Sequence, residues 1–202
     1  MTLIHRLSED PLIDLKIWLD EASQQGLPEP NAMTLGTASK DAFPSARMVL
    51  CKAIEPDGIH FFTNYESRKS RDLLANPLST AVFFWPTLAR QVRVEGRVEK
   101  VSRKISEDYF RTRPRGSQVG AWVSQQSTEI ADYQTLETQF REREKAFSGQ
   151  DVPCPPHWGG FVIVPSSVEF WLGLPSRLHD RVLVTRTTTG DKKVWQKKQL
   201  AP

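Results

Sequence analysis

The 202-residue chain has only two cysteines, Cys51 and Cys154, about a hundred residues apart, and no Cys-x-x-Cys. That argues against a zinc ribbon or a dithiol redox centre, so both are expected to be plain thiols and no metal is expected. No apolar run approaches the roughly 18 residues of a membrane-spanning helix. The opening Met1 to Asp10 has two acids and no apolar core, unlike a signal peptide, which favours the cytoplasm. Charge of neither sign dominates: 27 Lys plus Arg face 24 Asp plus Glu, a net +3. Such a balance suits a folded protein and gives no support by itself to nucleic-acid binding or disorder. Also missing are Gly-x-Gly-x-x-Gly, a P-loop, His-Glu-x-x-His and Gly-x-Ser-x-Gly, which removes the main support for dinucleotide-binding, kinase and zinc-protease chemistry.

What the chain does have is a steady succession of turn signals and short apolar segments. Asp10-Pro11 reads as a capped helix start, continued at helical spacing by Leu12, Leu15, Trp18, Leu19 and Ala22 and ended by Gly26, Pro28 and Pro30. Strands are expected at Ala32 to Ala38, Ser45 to Ile54 and Ile59 to Thr63, the last two separated by the turn Pro56-Asp57-Gly58. Ser67 can cap a short helix that stops at Asn76-Pro77. Strands follow at Leu78 to Trp85 and Gln91 to Val101, the second alternating Val92, Val94 and Val98 with charged residues and breaking at Gly96. Ser102 opens a helix ending at Arg113-Pro114, a shorter one covers Ser117 to Val123, and Tyr133, Leu136, Phe140 and Phe147 mark an amphipathic third. After Pro-rich Val152 to Pro156 come strands at Phe161 to Trp171, Arg181 to Thr187 and Lys193 to Gln199, with the last turn at Gly190-Asp191. The pattern implies one α+β domain over 1–202, an antiparallel barrel with flanking helices, preceded by a flexible arm at 1–9.

Four groups of basic and hydroxyl residues stand where folding does not ask for them. Arg68 and Lys69 after Ser67 sit in a first helical turn, where the helix dipole disfavours cations unless an anion joins them; a solvated surface helix is the plain alternative. Arg47-Met-Val-Leu-Cys-Lys52 carries a cation at each end, with alternation placing Arg47, Val49 and Cys51 opposite Met48, Leu50 and Lys52. Tyr109 and Arg113 share a helix face, with Ser117 just beyond the Pro114 break, a set that suits a phosphate monoester. If Arg177-Leu178-His179-Asp180-Arg181 is extended, Arg177, His179 and Arg181 form a cationic ladder needing an acidic or electron-rich partner.

Taken in order, these groups resemble the pyridoxine (pyridoxamine) 5′-phosphate oxidase family, together with Phe61-Phe-Thr-Asn64, Arg90-Gln91-Val92, Gly120-Ala-Trp122, Ser124-Gln-Gln126-Ser127, Trp158-Gly-Gly160, Glu169-Phe-Trp171 and terminal Leu200-Ala-Pro202. The resemblance runs from about Asp10 to the last residue. It implies an FMN-binding split barrel that works as a homodimer with flavin at the subunit interface. Arg47, Met48, Val49, Leu50, Cys51, Lys52, Phe62, Thr63, Arg68, Lys69, Gln91, Gln126, Ser127, Trp171 and Arg181 would line the FMN site, with Arg47 and the Ser67-Arg68-Lys69 helix start on the ribityl phosphate. Lys52, Tyr109, Arg113 and Ser117 would hold the substrate phosphate, while Arg177, Leu178 and His179 frame the pyridine ring, Arg177 and His179 as the catalytic pair. The implied reaction oxidises C4′ of pyridoxine or pyridoxamine 5′-phosphate to pyridoxal 5′-phosphate. A hydride equivalent passes to the flavin, dioxygen is reduced to hydrogen peroxide, and the amine substrate loses ammonia. Two departures stand out: His5-Arg6 does not match the family's basic, Tyr-containing segment, and Leu172 replaces the usual Gln after Phe-Trp. The alternatives are a flavin reductase or another split-barrel FMN oxidoreductase, and a non-catalytic protein that binds FMN or pyridoxal phosphate.

Overall fold

The computed structural model describes residues 2–189 and 192–202; the turn expected at Gly190-Asp191 lies outside them. Helix α1 (Pro11–Gln24) starts as its sequence requires, with the Leu12 N–H donating to the Asp10 carboxylate at 3.0 Å. Its inner face carries Leu12, Leu15, Trp18 and Ala22, and Trp18 meets Phe170 edge-on at 5.2 Å. The residues expected as a loose arm are instead anchored: Leu3 and Leu7 are core residues, the Leu3 N–H donates to Asp180, and Lys197 donates to the Leu7 carbonyl.

Among the described residues, nine antiparallel strands form one curled sheet: β1 (Ala32–Ala38), β2 (Pro44–Leu50), β3 (Ala53–Glu55), β4 (Gly58–Asn64), β5 (Leu78–Trp85), β6 (Arg90–Lys100), β7 (Trp158–Leu172), β8 (Asp180–Thr189) and β9 (Lys192–Leu200). Their order is β2-β1-β5-β6-β7-β4-β3, with β8 added on β7 and β9 on β8. The single strand expected over Ser45 to Ile54 is two, because Cys51 and Lys52 turn their N–H groups to Asn31 and His60 and leave the ladder with β1.

Strand β7 organises the barrel. Its first half pairs with β4 and its second with β8, while β6 follows it along nearly its whole length. The β6–β7 register shifts at Glu95/Gly96, opposite Pro165. A Cβ on Gly96 would lie 2.2 Å from the Val164 carbonyl oxygen, so only glycine permits this approach. The bulge turns the sheet, and Val92, Val94 and Val98 enter the core on either side of it. Phe61, Phe83, Phe161 and Phe170 fill that core together with Met33, Leu35, Ile59 and Ile163.

Helix α2 (Arg68–Ala75) follows β4; helices α3 (Arg103–Thr112), α4 (Arg115–Val123) and α5 (Tyr133–Ala146) are inserted between β6 and β7. The α3–α4 corner has its own small core of Phe110, Val119, Val152 and Trp158. Among the described residues, no helix is long and apolar enough to cross a membrane.

Candidate functional site

One cleft, of about 620 Å³, is lined by Met48, Val49, Leu50, Lys52, Phe62, Thr63, Lys69, Tyr109, Arg113, Ser117 and Gln126, drawn from separate stretches of the chain. Three local features build it: the irregular end of β2, the start of α2 and the α3–α4 break. At the break, Arg113 ends α3 in extended conformation and Pro114 starts α4, so the Arg113 side chain turns inward. Its guanidinium stacks on Trp158 at 4.6 Å, and Tyr109 lies against Phe62 at 4.0 Å between ring centroids. Arg113 Nη1 is buried without a hydrogen-bond partner, and burial pulls the guanidinium below its ordinary pKa. A cation with a buried, unpartnered nitrogen in a cleft is one that a bound anion could satisfy.

The second cationic group lies at the same end of the molecule. Lys69 is buried and donates to Thr63 Oγ1 (3.2 Å), Ser67 Oγ (3.2 Å) and Gln126 Oε1 (2.9 Å), all neutral oxygens. Burial, reinforced by the nearby charge of Arg47, brings the ammonium down to about 8. Arg47 reaches from β2 to Thr37 and Ser45, and the charge of exposed Arg68 adds to the desolvation that lowers its pKa. Ser67 occupies the N-cap position of α2 but does not cap it: its hydroxyl pairs with Ser70 and accepts from Lys69. Cys51 does not reach the cleft. Its thiol is buried in the core, donates to the Ala53 carbonyl and is pushed up to about 12 by burial. Ser127 follows Gln126 in a left-handed conformation (φ 71°).

The remaining expected residues form a corner at the other end of β7. Gln91, Trp171 and Arg181 are directly opposite one another on β6, β7 and β8. The cationic ladder expected over Arg177 to Arg181 does not form. Pro175 starts a 3-10 turn, Ser176 and Arg177 are both left-handed (φ 58° and 60°), and β8 begins only at Asp180. Two consecutive non-glycine residues in that region store strain of about 1–3 kcal/mol each. His179 packs on Trp171 at 4.7 Å, and its Nδ1 accepts the Leu174 N–H at 3.2 Å, so the neutral ring carries its proton on Nε2. Arg177 and Leu178 are exposed.

The acidic partner that the cations needed is Glu169, of the Glu169-Phe-Trp171 motif, a role that the motif alone does not disclose. Its buried carboxylate accepts from Arg181 Nε (2.9 Å) and Arg93 Nη2 (2.6 Å), placing it between two guanidiniums. Trp158, the platform under Arg113, belongs to the Trp158-Gly-Gly160 motif, and only tertiary structure brings the two together.

The curled sheet with its inserted helices defines the fold as an FMN-binding split barrel. A solved FMN-binding protein from Nostoc punctiforme superposes with a TM-score of 0.77 at 14% identity, covering 97% of this chain and 100% of that one. The family model described as pyridoxamine 5′-phosphate oxidase matches residues 19–146, and one described as the pyridoxine 5′-phosphate oxidase C-terminal dimerisation region matches 158–202. The chain belongs to the pyridoxamine 5′-phosphate oxidase family. A pyridoxine/pyridoxamine 5′-phosphate oxidase of Cupriavidus necator is 53% identical over 97% of this chain and 91% of its own length. One of Microcystis aeruginosa is 49% identical over 96% and 90%. PhzG from Burkholderia lata, solved with tetrahydrophenazine-1-carboxylic acid, matches with a TM-score of 0.90 at 27% identity over 96% of this chain and 94% of that one.

Proposed function

We propose that the chain is an FMN-dependent oxidase that converts pyridoxine and pyridoxamine 5′-phosphates to pyridoxal 5′-phosphate, with dioxygen as acceptor. The observation that carries this reading is the unpartnered Arg113 guanidinium nitrogen in a cleft shared with Lys52, Tyr109 and Ser117. Those four side chains offer the charge and the several donors that a phosphate monoester takes. A second cationic group, Arg47, Arg68 and Lys69, suits the ribityl phosphate of FMN, and one polyanion would not need both. FMN would supply the redox chemistry. The protein's own part is to hold both phosphates, exclude water with the Phe62, Tyr109 and Trp158 rings, and present Arg177 and His179 to the pyridine ring, His179 with a proton on Nε2.

The site needs two chains. Trp158 at the cleft and Trp171 at the corner are 13 residues apart on one strand, a contour of about 40 Å at roughly 3.3 Å per residue. The two groups lie toward opposite ends of the strand, which fits an arrangement in which the corner of each chain serves the cleft of a partner. A homodimer is supported by the match to a dimerisation region at 158–202 and by a half-exposed outer sheet face that runs from Met48 through Thr34 and Val82 beside Phe84 and Gln91.

Purified protein is expected to be yellow, to release FMN on denaturation, and to turn over both phosphorylated vitamers with peroxide formation. FMN without turnover of either vitamer would sink the oxidase reading and leave the flavoprotein. The likeness to PhzG makes tetrahydrophenazine-1-carboxylic acid the natural competing substrate; a carboxylate in place of a phosphate leaves the Arg113 cleft underused, so it should be turned over poorly.

A further inference from the structure

Building on the reading of the Arg47, Arg68 and Lys69 group as the FMN phosphate cradle, we propose that Thr37 and Asp72 are positioning residues that preset the Arg47 guanidinium and lock helix α2 to the strands bearing it. Both are buried, at 4% and 9% exposure, though neither touches the cleft. The Thr37 hydroxyl donates to Asp72 Oδ2 at 2.8 Å. A hydroxyl has a single proton, so once it is committed to the carboxylate, Thr37 Oγ1 can only accept, and Arg47 Nη1 donates to it at 2.7 Å. Arg47 also donates to the Leu35 carbonyl (3.2 Å) and Ser45 Oγ (2.8 Å), and Asp72 Oδ2 stands 3.9 Å from its Nη2. One directed chain of hydrogen bonds therefore joins α2, β1 and β2, the elements that carry the cradle.

The chain also settles a charge problem. Arg47 feels the positive charge of Arg68, and Lys69 that of Arg47. Among the described residues, Asp72 is the carboxylate within ion-pair distance of this group. Three positive charges against one negative leave +2, close to the opposite of the roughly −1.5 to −2 of a phosphate monoester at neutral pH. Electrostatics alone would have Asp72 weaken phosphate binding, whereas positioning has it strengthen binding. The two roles predict opposite signs.

The test titrates flavin-stripped wild type, Asp72→Asn, Thr37→Val and Thr37→Ser with FMN and with riboflavin, which lacks the phosphate, following flavin fluorescence. The Kd for FMN should rise about tenfold in Asp72→Asn and Thr37→Val, the scale of one hydrogen bond to a charged group. The Kd for riboflavin should stay put, and Thr37→Ser, which keeps the hydroxyl, should behave as wild type. Tighter or unchanged FMN binding in Asp72→Asn overturns the proposal, as does equal weakening toward both flavins, which would report damage to the whole site. Should Asp72→Asn not fold, the Thr37→Val and Thr37→Ser pair decides by the same criteria. A wild type that binds FMN no better than riboflavin overturns the phosphate cradle itself, an outcome distinct from variants that fail to differ from a discriminating wild type.

Discussion

The two ends of strand β7 treat their cations in opposite ways. At the Trp158 end, Arg113 is left with an unpartnered nitrogen and Lys69 has only neutral oxygens around it. At the Trp171 end, Glu169 accepts from both Arg93 and Arg181, Glu95 adds a second carboxylate beside Arg93, and the unusual feature is the strained backbone at Ser176 and Arg177. The first arrangement leaves positive charge unsatisfied, which is what an anion-binding cleft requires. The second fixes the direction of its cations, and its backbone strain falls in the turn that carries Arg177 and leads to His179. The difference separates binding from positioning along one piece of secondary structure.

The sharpest break of this contrast is Arg113→Met, which should lower kcat/KM for pyridoxamine 5′-phosphate about 100-fold while FMN stays bound, the loss expected for charge-assisted hydrogen bonds to one phosphate. Steady-state kinetics with a flavin count per chain checks it; loss of FMN instead would mean that the cleft and cradle had been divided wrongly. Arg177→Ala should also lower turnover or substrate affinity with FMN retained. Next in size is a mixing experiment. Arg113→Met and Arg177→Ala chains, each almost inactive, should regain about a quarter of wild-type activity when unfolded and refolded together, because half the dimers are mixed and each of those has one intact site. No recovery would show that cleft and corner serve each other within one chain.

A smaller effect concerns pH. Lys69 is lowered to about 8 from an ordinary 10.5, so between those values the folded, flavin-free chain has lost a proton that the unfolded chain keeps. Its stability from this group therefore rises with pH across that window, whereas a bound phosphate favours the ammonium and works the other way. FMN affinity should fall above pH 8 by up to about tenfold per unit, and Lys69→Met should flatten the profile measured by fluorescence titration. The smallest is Ser176→Gly, which should relieve left-handed strain and raise stability by about 1 kcal/mol in a denaturant melt while lowering kcat. Unchanged kcat would mean that the strain does not serve the chemistry.

Much of this was legible before the structure. Strand β5 falls where its sequence placed it, α2 starts and stops at its Ser67 and Asn76-Pro77 signals, and the Val92, Val94 and Val98 alternation faces the core, because each depends on local preference and periodicity. The convergence of Tyr109, Arg113 and Ser117 on one cleft was visible because a proline break fixes their relation. What stayed hidden depends on distance in the chain or on unusual dihedrals. Asp72 and Thr37 are 35 residues apart and look like ordinary helix and strand residues. Alternation cannot foresee two left-handed residues after Pro175, so an extended ladder was expected where a turn stands. The arm before α1 looked loose because the hydrogen bonds that anchor it come from near the far end of the chain, Asp180 under the Leu3 N–H and Lys197 on the Leu7 carbonyl.

The bulge at Gly96, opposite Pro165, has a consequence for how the protein tolerates change. It lies in the strand pair between the Trp158 end and the Trp171 end, which on the proposed shared-site arrangement serve different active sites. A side chain there would shift both ends together, so its damage could not be complemented by a partner chain in the way that damage to a single half-site can. Variation should accordingly be spread unevenly along β7, readily traded between subunits at the tips and dominant in its harm at the middle.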